Sequence, residues 1–80
     1  MDETLGFMNQ GESGVVRDIA GGVSLREKLT ALGLVRGKVV HMVQNNGIGP
    51  VIVALGEGRL ALGRGMAQRI FVDEIAFKEE

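Results

Sequence analysis

Between Ser24 and Val40 the chain changes its periodicity, and that change leaves few folds open. Leu25, Leu29 and Leu32 recur at i, i+4 and i+7, which places them on one face of a short helix. Ser24 and Glu27 stand at the S-x-x-E spacing of a capping box, so the helix is expected to start at Ser24. Gly33 follows where a left-handed residue ends a helix at least cost. Past Arg36 and Gly37 the pattern alternates. Val39, His41 and Val43 point one way and Val40 and Met42 the other, which predicts a strand over 38–44. A short helix feeding a strand is architecture and carries no chemistry.

The rest of the chain is cut into short pieces. Thirteen of the 80 residues are glycine, roughly twice the usual share, and they punctuate β-branched runs. After a lead-in over 1–11, strands are predicted over 15–19, 38–44, 51–55, 59–62 and 70–72. Asn45 to Pro50 reads as a loop, and Gly56-Glu57-Gly58 as a tight hairpin. Residues 63–68 read as a turn with at most one helical turn, and 73–80 as a tail in which Ile75 and Phe77 are placed to dock. There is no linker and no repeat. The expected fold is mainly β with a short helix: one domain over 1–80, a small SH3-like β-barrel of about five strands carrying a helical insertion.

Composition narrows the function. With no cysteine, neither a disulfide nor a thiolate zinc site can brace so small a core. Three Phe and no Trp or Tyr remove the stacking platforms that grip single-stranded nucleic acid or proline-rich peptides. Nine basic residues against ten acidic, without a basic run, argue against nucleic acid as a partner. The longest apolar run, Val51 to Leu55, is far short of the roughly 20 residues of a membrane span. Asp2 and Glu3 make the start acidic and unlike a signal peptide, so a cytoplasmic protein without membrane insertion is expected.

The sequence carries no complete catalytic motif. Ser24 is explained as a cap, and neither serine has an evident base in sequence, so no catalytic residue is assigned. Gly33 to Lys38 has three residues where a phosphate-binding loop needs four, and Val39 stands where Ser or Thr must ligate magnesium. The Gly-x-Gly pairs at 47, 56 and 63 lack the third glycine of a dinucleotide site. His41 has no carboxylate at i±2, and Asp73, Glu74, Glu79 and Glu80 read as a solvated acidic end, so neither metal nor cofactor is expected. Arg64 and Arg69 read as surface arginines, and Met66 and Ala67 as core or groove-lining residues.

The order of landmarks resembles the FeoA family, small cytoplasmic accessory proteins of bacterial ferrous-iron uptake. Gly11, Gly14, Val15 and Val16 match its G-x-x-G-V-V opening. Leu25, Leu29 and Leu32-Gly33-Leu34, followed by Gly37 and Val39, match its L-x-x-L-G-L-x-x-G-x-V core. Gly49, Pro50, Val51 and Val53 match its hairpin, and Arg59 through Val72 its closing signature. Lys28, where arginine often stands, and Val35-Arg36, where many members have proline, depart from the pattern. The resemblance implies an SH3-like barrel and a non-catalytic monomer that regulates a FeoB-type membrane transporter with a GTPase domain. It also implies a rival reading, a free-standing regulatory domain related to the C-terminal barrel of DtxR-type metal-dependent repressors.

For a partner surface the sequence offers the corner Leu32, Gly33, Leu34 and Arg36. The glycine admits a close backbone approach, the leucines give apolar area and the arginine a polar rim. That role requires Leu34 to be exposed; the alternative is that the corner is a helix C-cap packed internally.

Overall fold

The computed structural model describes residues 3–75. In chain order they form β1 (Glu3–Thr4), a 3-10 turn (Leu5–Phe7), β2 (Ser13–Ile19), α1 (Val23–Ala31) and β3 (Val39–Gln44). β4 (Val51–Leu55), β5 (Gly58–Leu62), α2 (Arg64–Ala67) and β6 (Ile70–Ile75) complete the chain. All strand pairs are antiparallel, in one sheet of order β1-β6-β2-β3-β4-β5.

Period-2 patterning sets the faces. In β3, Val40 and Met42 are fully buried while Val39 and His41 face outward, as their alternation predicts. Val51 and Val53 of β4, Leu62 of β5, and Ile70 and Val72 of β6 point into the same core. The register shifts between Val16 and Asp18 against β6, and between Met42 and Gln44 against β4. Such irregularities bend strands and raise the local twist. The sheet thus curls far enough for Leu5 and Met8 of the lead-in to share one cluster with Leu62 and Val53. Gly56 (φ +59) opens the two-residue hairpin between β4 and β5, a position needing a positive φ that glycine alone adopts freely.

Several boundaries differ from expectation, among them the start of β2, which begins at Ser13 and not at residue 15. There are six strands: the lead-in contributes β1, whose two residues pair with Val72 and Phe71 of β6 but are too few to show a period. β6 runs on to Ile75, because Asp73, Glu74 and Ile75 continue the ladder along Val15, Gly14 and Ser13. Phe77 lies outside the described residues. The Ser24–Glu27 capping box is also absent. α1 begins at Val23 with Gly22 as its N-cap and no side-chain cap, and the Gly22 carbonyl accepts the Arg26 N–H at 3.1 Å. β2 holds the chain until Ala20, whose N–H bonds the Arg69 carbonyl at 2.8 Å. The reversal therefore falls on Gly21 and Gly22, and Ser24 lies inside the first turn.

The C-terminus of α1 decides the next point. Gly33 has φ +93, its N–H bonds the Thr30 carbonyl at 2.9 Å, and the Leu34 N–H bonds the Leu29 carbonyl at 2.9 Å. This 6→1 and 5→2 pair is a Schellman motif, which sets Leu34 beside Leu29. Both leucines are fully buried.

Candidate interaction surfaces

Two patches flank the ends of β3. At its start, the α1–β3 corner exposes Leu32 (42%), Val35 (40%) and Val39 (52%). Arg36 is exposed, and Gly33 is partly covered. Leu34, expected at this surface, has no exposed area, because the Schellman turn folds it onto Leu29. Of the residues proposed from sequence, Leu32, Gly33 and Arg36 remain at the corner. Beside them lies a cleft of about 260 Å³ lined by Asp18, Ile19, Arg26, Thr30, Val35 and Arg36. The Ile19 N–H donates to Asp18 Oδ1 at 2.8 Å, and Arg36 Nη2 approaches the same oxygen at 3.4 Å. The backbone hydrogen bond first, then the Arg36 charge, holds the Asp18 carboxyl below its ordinary value. Chemically the corner is apolar with a charged rim.

At the far end of β3, Asn45 and Arg64 tie three segments together. Asn45 Nδ2 donates to the Gly6 and Met8 carbonyls at 3.1 and 2.7 Å, and its Oδ1 accepts the Gly47 N–H at 3.0 Å. Arg64 donates from Nε to the Gly49 carbonyl (3.0 Å), from Nη1 to the Gly6 carbonyl (3.2 Å) and from Nη2 to Asn45 Oδ1 (2.7 Å). These bonds hold the β3–β4 loop and α2 against the lead-in. Sequence reading missed this role: Asn45 reads as a turn former and Arg64 as a surface charge, and nothing local says that they meet.

Two other groupings are legible only in three dimensions. Ser13 Oγ and His41 Nδ1 lie 2.8 Å apart on directly paired residues of β2 and β3. A nucleophile and a base are thus adjacent, contrary to the sequence reading. The contact is a hydrogen bond across the β2–β3 pair. Glu3, Glu12 and Glu74 bring one carboxylate oxygen each to within 4.8 Å of one another. A hydrogen bond with Glu12, then the Glu12 charge, pushes the Glu74 carboxyl above its ordinary value. All three ligand atoms on offer are oxygens; His41 stands outside the group.

A curled six-stranded antiparallel sheet around one apolar core defines a small barrel of the SH3-like class. The FeoA domain model matches residues 3–74, and the chain belongs to that family. It is 30% identical over 76 residues, covering 95% of this chain and 92% of the relative, to "Putative Fe(2+) transport protein A" of Methanocaldococcus jannaschii. A crystal structure of an iron uptake regulatory protein, FeoA, superposes with a TM-score of 0.88 at 35% identity, covering 94% of this chain and all (100%) of the other. The zinc complex of Stenotrophomonas maltophilia FeoA, described as a procaryotic SH3 domain protein, gives 0.73 at 33% identity over 89% of each chain.

Proposed function

We propose that this chain is a non-catalytic accessory of ferrous-iron transport that binds and regulates a FeoB-type membrane transporter with a GTPase domain. The observation that carries the reading is the match to the FeoA domain from residue 3 to residue 74, nearly the whole chain. The barrel supports it: its most conspicuous side-chain network, around Asn45 and Arg64, is spent on loop geometry and not on a reaction centre. No helix among the described residues is long and apolar enough to cross a membrane, which fits action from the cytoplasmic side. The chain acts as one domain over 1–80 and as a monomer. Its contact face is the α1–β3 corner, Leu32, Gly33 and Arg36 with Val35 beside them, an apolar centre with a charged rim.

The test is capture of the transporter from detergent-solubilised membranes by the immobilised chain, with Leu32→Asp as the variant. Leu32 is exposed, so the variant keeps its circular dichroism and melting behaviour while capture is lost. Failure of the parent to capture the transporter would overturn the functional reading. Parental capture by the folded variant would move the face away from this corner.

A further inference from the structure

The second patch, at the Asn45 end of β3, holds a charge without a counter-ion among the described residues. Arg64 is half-buried, and its three hydrogen bonds all go to neutral oxygens, the Gly49 and Gly6 carbonyls and Asn45 Oδ1. Among the described residues no carboxylate pairs with it; the ion pairs are Arg17 with Asp73 and Arg36 with Asp18. Guanidinium carries five N–H donors, so one hydrogen on Nη1 and one on Nη2 remain. Arg64 lines a cleft of about 330 Å³ together with Phe7, Gly47 and Gln68. Phe7 is 72% exposed, and Ile48, next along the loop from Gly47, is 81% exposed. They are the two most exposed large apolar residues described. Asn45 has no amide hydrogen left, since both go to the lead-in carbonyls, whereas Gln68 is exposed and its amide is available.

We propose that this cleft docks an extended acidic–apolar segment of a partner protein. A side-chain carboxylate of that segment accepts from the unused Arg64 N–H groups, and a bulky apolar neighbour packs on Phe7. Charge complementarity selects the occupant. A partly desolvated guanidinium bonded only to neutral oxygens favours an anion, and its unused N–H groups can donate to a carboxylate. The exposed Phe7 ring, which lines the cleft with Arg64, demands apolar surface beside that anion. This site is separate from the α1–β3 corner and does not depend on which protein carries the segment.

The test needs no transporter. The full ¹⁵N-labelled chain is titrated with the peptide acetyl-Gly-Phe-Glu-Leu-Gly-amide and with the same peptide carrying glutamine in place of glutamate. The expected result is a saturable shift of the Gly6, Gly47 and Gln68 amides and of the Arg64 Nε–H. Affinity should be roughly tenfold weaker for the glutamine peptide and should fall with added salt. Because Arg64 also holds the loop, the control variant is Phe7→Ser, which alters only an exposed side chain; it should keep the parental spectrum elsewhere and lose binding. Equal affinity for the two peptides, shifts away from the cleft, or no shift at millimolar peptide would each overturn the proposal. So would tighter binding of the glutamine peptide when it is made with a free C-terminal carboxylate in place of the amide. Peptide-free, concentration-dependent shifts of the same amides would also overturn it, by showing that a second copy fills the cleft.

Discussion

At the scale of single residues, adjacent positions of the Leu32-Gly33-Leu34 corner do opposite things. Gly33 holds φ +93, and a Cβ placed there would meet nothing within 4 Å, so a side chain is refused by backbone conformation alone. Gly33→Val should lose about 1–3 kcal/mol in urea unfolding, with no change at the core. Leu34→Asp should leave the chain unfolded by circular dichroism, because it places a charge among fully buried apolar side chains, whereas Leu32→Asp should fold. In sequence the three residues look alike in role, since L-x-x-L-G-L does not say which leucine the reversal turns inward. The carboxylates add a pH dependence. Glu74 is shifted above its ordinary value of 4.5, chiefly by its hydrogen bond to Glu12, so the folded chain holds that proton more tightly than the unfolded one. Its contribution to stability is present below that value and fades as the pH rises through the folded value. Asp18, shifted below 3.8, does the reverse: its contribution is present above that value and is lost as the pH falls. Glu74→Gln should therefore flatten the decline on the upper side of the glutamate range, as read from urea midpoints against pH.

At the scale of elements, what was legible is what repeats within a few residues. The alternation of β3, the two-residue hairpin at Gly56 and the helix stop at Gly33 all follow from local pattern, and all are present. β1 could not be read, because a two-residue strand exists only through its pairing with β6. The Ser24–Glu27 spacing misled for a related reason: the start of α1 is fixed by where β2 releases the chain, at Ala20, and not by the best local cap. The carboxylate group was invisible, since Glu3, Glu12 and Glu74 come together only through the sheet. The uncapped start of α1 leaves room for improvement. Gly22 has an extended backbone (φ −80, ψ 179), and a Cβ there meets nothing within 4 Å. Gly22→Asp should add a side-chain acceptor and a favourable charge at the helix N-terminus, raising stability by about 0.5–1 kcal/mol in denaturant melts. No change would mean that α1 frays at that end in the parent.

At the scale of the whole molecule, the sheet is held by contacts between distant parts of the chain. The Arg64–Gly6 bond and the β1–β6 pairing both join the lead-in to the far end. Because these contacts carry the fold together with the apolar core, a chelator should leave the melting temperature unchanged; a large drop would reveal a metal that organises the barrel. The position of β6 has a consequence for how the protein is made. β6 is the last strand described, yet it lies between β1 and β2, pairing with both and adding Ile70 and Val72 to the core. A nascent chain that has emerged only through β5 holds a meander whose β2 edge has no partner and whose inner face is open to water. Translation therefore delivers the keystone after every other strand of the sheet, and the barrel can close only once β6 has followed β5 out of the ribosome.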